Sequence, residues 1–302
     1  MTDYDHPLQF GYFLTPDAAN YPELLRVARL VDDLGLDLIG IQDHPYQRRF
    51  FDTWTLLTAI ATQTGRVRIF PDVANLPLRP PAVLAKAAAT LDLISGGRFE
   101  LGLGAGGFWE AIEAMGGPVR SPKEAVAAFV DAIHVIRLMW SDQRSARYDG
   151  QYYRLHGVHP GPLPAHAIGI WVGAIGPKML EVTGQLADGW IPSSSYIPPS
   201  RLPEMQQRID TAALAAGRSP TAIRRLYNIS GRITDGPSSG FLEGPVSQWV
   251  ETLTRLTIDN GMSSYIFGGG SDLDTQLRRF ALEVAPQVRE RVARHRAQSS
   301  GG

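Results

Sequence analysis

Short apolar runs and longer amphipathic stretches alternate along the chain, and the two have different periods. LQFGYFL (Leu8–Leu14) is of strand length, and the stretch Pro22–Leu34 after it carries apolar residues at helical spacing up to Gly35. DLIGIQDH (Asp37–His44) predicts a second strand, Trp54–Gln63 a helix and RVRIFPDV (Arg66–Val73) a third strand. PPAVLAKAAATLDLIS then reads as a helix and RFELGLG (Arg98–Gly104) as a fourth strand. A long helix over about Ser121–Trp140 precedes a polar, Pro/Gly-rich segment, about 141–166, that reads as an insertion. IGIWVGA (Ile168–Ala174), ADGWIP (Ala187–Pro192), IRRLYNIS (Ile223–Ser230) and SSYIFG (Ser263–Gly268) supply four further strands. Eight strands alternating with helices predict an α/β fold, a (β/α)8 TIM barrel with an insertion between strand 4 and strand 5. A single domain over residues 1–302 is expected, with a fraying tail at about 297–302.

Composition narrows the functional classes. With 29 Lys+Arg against 30 Asp+Glu, the chain has no field to gather nucleic acid or an anionic membrane, and no apolar run reaches the ~20 residues of a membrane span. The absence of cysteine excludes disulfides, thiolate metal sites and cysteine nucleophiles. The opening MTDYDHPLQFGYF lacks a basic segment followed by an apolar one, so a cytoplasmic location is expected.

RFELGLGAGG places Gly102, Gly104 and Gly107 in a G-x-G-x-x-G spacing. In a dinucleotide-binding fold that loop follows the first strand, and an acidic residue ends the next strand ~20 residues on. Here it follows the fourth strand, and the acid in the window, Glu124, lies in a helical stretch, which argues against that fold.

In such a barrel, chemistry sits at the carboxyl ends of the strands. Those ends carry Phe13; Gln42, Asp43 and His44; Asp72 to Asn75; Ala105 to Trp109; Ala174 to Pro177; Ser193 to Tyr196; Asn228 to Gly231; and Gly268 to Gly270. This mixture of glycine, aromatic and hydroxyl residues suits a planar ring with a phosphate tail better than a metal, which wants clustered His and carboxylates. His44 is the histidine at a strand end, where an imidazole can exchange a proton near neutral pH or simply sit at the surface. VGAIGPKMLEV and the serines after ADGWIP read either as an anion seat at a helix start or as ordinary capping.

The blocks GLDLIGIQDH, RVRIFPDVANLPLRPPAVLAKAAATLDLISGGRFELGLGAGG, YDGQYYRL, IWVGAIGPKML and LADGWIPSSSY, in this order, resemble the bacterial luciferase-like flavin and deazaflavin oxidoreductases. Within that family, IQDH is similar to the strand-two histidine motif of enzymes that use coenzyme F420, such as methylene-tetrahydromethanopterin reductase. The resemblance implies a small-molecule hydride transfer with F420 as cofactor and His44 as the proton-handling residue. It assigns Gln42, Asp43, Asp72, Val73, Asn75, Ala105, Gly106, Ala174, Ile175, Gly176, Pro177, Ser193 and Ser194 to the cofactor, with a non-proline cis peptide at Asp72–Val73. Phe13, Tyr46, Trp109, Trp190 and Tyr196 are expected on an apolar substrate side. A homodimer through the barrel helices is expected on the same ground.

The sugar-phosphate dehydrogenase branch of the family has an acid directly after its glycine run, where this chain has Gly107, Phe108 and Trp109. Glu110 and Glu113 fall in the following helix. The alternatives are an FMN-dependent luciferase-like monooxygenase and a non-catalytic flavin-binding protein.

Overall fold

The computed structural model describes residues 3–269 and 272–300, apart from the side chain of Ser300. Eight parallel strands form its wall: β1 (Gln9–Leu14), β2 (Leu38–Ile41), β3 (Arg68–Pro71), β4 (Leu101–Gly104), β5 (Ile170–Val172), β6 (Gly189–Trp190), β7 (Arg224–Ser230) and β8 (Ser264–Gly268). Their order around the wall is β3-β2-β1-β8-β7-β6-β5-β4, and the two ends meet. Ile69 bridges Phe99, and the short continuation of β3 at Ala74–Asn75 pairs with Leu103 and Gly104, so the sheet closes on itself. Every strand expected from the pattern is present, each shorter than its apolar run.

The crossover helices are α1 (Tyr21–Asp33), α2 (Thr53–Ala61), α3 (Pro81–Ser95), α4 (Trp109–Ala114), α5 (Pro122–Met139), α6 (Pro177–Leu186), α7 (Leu202–Ala215), α8 (Val246–Ile258), α9 (Leu273–Arg279) and α10 (Ala285–Ser300). Their starts follow from local chemistry. The Asn20 and Asp52 side chains accept from Glu23 N–H and Thr55 N–H, and Ser121 with Glu124 forms a reciprocal capping box. The insertion holds an antiparallel hairpin, Ala146–Asp149 against Arg154–Val158, and a short parallel pair, Arg232–Ile233 with Glu243–Gly244, follows β7. Neither pair announced itself in the sequence, because both lie in polar segments without an apolar run. The last helix continues to Ser300, into the stretch expected to fray, while Gly270, Gly301 and Gly302 lie outside the described residues.

Strand alternation separates two cores. Phe10, Ile39, Ile69, Leu101 and their counterparts face the helices. Leu38, Phe70, Trp171, Ile191, Leu226 and Ile266 fill the cylinder, with Phe13 and Val73 packed on them; Phe70 meets Trp171 edge to face at 5.1 Å. The amino end is plugged by Arg68, 2.9 Å from Glu100, and by Arg224, which donates to Ser264 Oγ and Pro7 O. This filled cylinder leaves the carboxyl rim as the face on which loops can build a site.

Candidate active site

Three adjoining chambers open on that rim. The central one, about 480 Å³, lies between Phe13, Gln42, His44, Asp72, Val73, Phe108, Ile175, Tyr196 and Asn228. A smaller one of about 180 Å³ continues past His44 and Phe108 to Tyr46, Asn75, Ala105 and Gly106. On the other side, about 550 Å³ extends from Phe13 and Asn228 along Ser193, Ser194, Ser195, Ser230 and Gly268. Shared lining residues make this one cleft, within the size range of cofactor sites.

The glycines of RFELGLG find their purpose here. Gly102 and Gly104 sit on the inward face of β4, and the end of β3 presses against them. A Cβ at Gly102 would stand 2.0 Å from Pro71 O, and one at Gly104 would stand 2.7 Å from Val73 Cγ2. The bare strand therefore makes room for Val73 to project into the cleft floor, and the Asp72–Val73 peptide there is cis.

His44 lies half-buried at the end of β2. Its Nδ1 is 2.6 Å from the Tyr46 hydroxyl, and the Phe108 ring stands edge-on to it at 5.4 Å. Burial pushes its pKa below the ordinary histidine value, against a partial opposing pull from Asp43.

Asp43 itself faces away. Its oxygens accept from Arg79 Nε and Nη2, each at 2.9 Å, and from Asn75 N–H at 2.9 Å. It borders the small chamber, and its side-chain oxygens pin the ends of β2 and β3 together. Alternation is the cause: Leu38, Gly40, Gln42 and His44 point inward, so Asp43 points out.

Asp72 is inward and differently placed. Its Oδ1 accepts from Asn228 Nδ2 at 3.1 Å, while Oδ2 is buried without a partner against Gly40. Burial pushes this carboxyl up to about 7, with the Asn228 hydrogen bond pulling the other way. The Oδ1 atoms of Asn75 and Asn228 are likewise buried and unpartnered.

The remaining expected residues divide. Gln42, Val73, Ala174, Ile175, Ser193 and Tyr196 line the central chamber, with Phe13; Ala105, Gly106 and Tyr46 line the small one, and Ser194 lines the third. Gly176 and Pro177 sit exposed at the uncapped start of α6 and line none of the three. Trp190 is not on the substrate side. It is fully buried among the outer core, with Nε1 donating to Ala174 O at 2.9 Å, because Gly189 and Ile191 take the inward positions. Trp109 packs against Gly106 and lines none of the chambers; the exposed aromatic is Phe108. Glu110 and Glu113 face solvent on α4. Asn228 was missed as a floor residue, although the alternation Leu226, Asn228, Ser230 along β7 marks it as inward.

Comparison with known proteins agrees with this architecture. Residues 8–237 match the family model described as luciferase-like monooxygenase. The 5,10-methylenetetrahydromethanopterin reductase of Archaeoglobus fulgidus is 33% identical over 215 residues, which is 71% of this chain and 61% of that protein. The F420-dependent glucose-6-phosphate dehydrogenase of Kineococcus radiotolerans is 29% identical over 249 residues, 78% of this chain and 71% of that protein. The solved structure of an F420-dependent secondary alcohol dehydrogenase in complex with an F420-acetone adduct superimposes with a TM-score of 0.83 at 18% identity, covering 94% of this chain and 99% of that one. The chain belongs to the luciferase-like monooxygenase family, a family of flavin- and F420-dependent oxidoreductases.

Proposed function

We propose that this protein transfers a hydride between the deazaflavin coenzyme F420 and an uncharged small organic substrate with an apolar body. The observation that carries the reading is the cleft floor. Asp72 Oδ2, Asn75 Oδ1 and Asn228 Oδ1 are buried without partners on residues that line the same cleft as His44, and each such group costs about 1–3 kcal/mol unless a ligand satisfies it. A flat ring edged with N–H groups fits that need, and the F420-dependence of the Kineococcus relative supports the choice. When bound, F420 supplies the carbon that accepts or gives the hydride.

The chain's own residues do the rest. Gly107, beside which no atom of the described residues stands, keeps its wall bare enough for a ring to lie against backbone, whereas Gly104 and Gly173 give their space to Val73 and Gly106 gives its space to Pro77 and Trp109. Ser193 and Ser194 offer hydroxyl donors to a phosphate in the third chamber. His44 handles hydrogen bonding to the reacting group. Phe108, Ile175 and Tyr196 are 57%, 53% and 68% exposed, and they converge on the central chamber from three different loops. Among the described residues lining the cleft, none is a lysine or arginine, which favours an uncharged substrate over a phosphorylated one.

Titration of the protein with each oxidised cofactor tests the reading. Saturable quenching of deazaflavin fluorescence with no response to FMN is expected; the reverse would assign the cleft to FMN and an oxygenase reaction. Retained binding with unchanged turnover in His44→Ala would remove the histidine from the mechanism. A homodimer through barrel helices belongs to the same reading, supported by the exposed Leu93 and Ile94 on α3. Light scattering should give twice the 33.0 kDa chain mass, and the chain mass alone would refute it.

A further inference from the structure

A histidine at a ligand site can act as acid, base or fixed donor, and its tautomer decides among them. The surroundings of His44 fix that tautomer. Among the described residues, its one side-chain hydrogen bond joins Nδ1 and the Tyr46 hydroxyl at 2.6 Å. Asp43, the neighbour that would ordinarily orient an imidazole, is turned to the outer face and committed to Arg79. Phe108 closes one side with an apolar edge and offers no acceptor.

Tyr46 is the stronger donor in this pair. A phenol O–H is a better donor than a neutral imidazole N–H, and an imidazole nitrogen is a better acceptor than a phenol oxygen, so the 2.6 Å contact is strongest with the hydroxyl donating to Nδ1. Burial pushes the phenol up to about 12, which keeps that hydrogen in place at neutral pH. Burial also holds the imidazole neutral, so a nitrogen that accepts at Nδ1 leaves the ring hydrogen on Nε2.

We propose that Tyr46 is a positioning residue that locks His44 as the neutral Nε2–H tautomer, so that His44 meets the bound molecule as a hydrogen-bond donor to an oxygen or nitrogen acceptor. In this form the imidazole neither removes a proton, since both nitrogens are occupied, nor carries a full positive charge. It stabilises negative charge growing on a substrate oxygen by a fixed dipole, at no reorganisation cost. The inference rests on the cleft being the ligand site and not on which cofactor fills it.

Long-range proton–nitrogen correlation spectra of uniformly ¹⁵N-labelled protein read the tautomer directly, with His44→Gln to assign the resonances. The wild-type spectrum at pH 7 should show His44 protonated at Nε2 alone. Tyr46→Phe removes one hydrogen bond, and the tautomer ratio should fall about five- to tenfold toward a mixture. A wild-type ring protonated at Nδ1, or on both nitrogens, overturns the proposal without any variant. An unchanged tautomer in Tyr46→Phe also overturns it, and unchanged signals from the other histidines show that this variant is folded. Failure to bind F420 in the titration above leaves these outcomes as they stand, so the two readings fail separately.

Discussion

Asp72 is a carboxyl with no cation beside it. Asn228 satisfies one oxygen and the other rests against Gly40, so one amide hydrogen bond is all that offsets the cost of charging this buried acid. Its pKa is raised to about 7 from an ordinary value near ~3.9. The consequence for stability has a definite sign. Between about pH 4 and 7 the unfolded chain has lost this proton and the folded one has kept it, so folding stability falls by about 1.4 kcal/mol per pH unit across that window and levels off above it. Asp72→Asn should flatten this fall, and denaturant unfolding at pH 5 and pH 8 would show a smaller difference than in the wild type. An equal difference would place the charge elsewhere. The sequence contained Asp72 but not its state, because an acid in FPDVANLP reads the same whether it faces solvent or a sealed interior.

At the scale of elements, β3 and β4 work as a pair. The inward glycines of β4 exist for the side chain and carbonyl that β3 pushes toward them. Gly104→Ala would set a methyl 2.7 Å from Val73 Cγ2, and overpacking of this kind costs about 1–3 kcal/mol. Gly102→Ala should cost more, since the obstacle is the Pro71 carbonyl oxygen and a backbone atom cannot rotate away. Thermal unfolding of the two variants should rank them in that order, and Gly104→Ala should also weaken cofactor binding by moving Val73. Element positions were largely legible: short apolar runs flanked by helix starts give all eight strands. Facing was legible too where alternation was followed through, for Asp43 and Trp190 as for Asn228. The turn after β4 carries no such period, which is why Phe108 lines the central chamber where aromatic content alone suggested Trp109.

For the whole molecule, the insertion must be tied back to the barrel. His166, at the end of the expected insertion, joins Asp92 of α3 through Nδ1 at 2.9 Å and Glu100 before β4 through Nε2 at 3.3 Å. The Glu100 hydrogen bond is the main reason its pKa is raised, with Asp92 adding to it against desolvation. A raised histidine contributes stability that is complete below its unfolded pKa of ~6.5 and is lost as pH rises through the folded one. His166→Gln should therefore lower the midpoint of unfolding at pH 6 more than at pH 9; an equal loss at both would mean that the ring acts by packing alone.

What the sequence by itself determined is the order of elements and the chemistry available at each strand end, because periodicity and helix capping are local and are written within a few residues. Closure of the cylinder, the end of β3 filling the space left by the glycines of β4, the unpartnered oxygens of Asp72, Asn75 and Asn228, and the pairing of His44 with Tyr46 were decided by the tertiary structure. Each depends on distances between strands far apart in the chain, and on the loss of water between them, which no local pattern encodes.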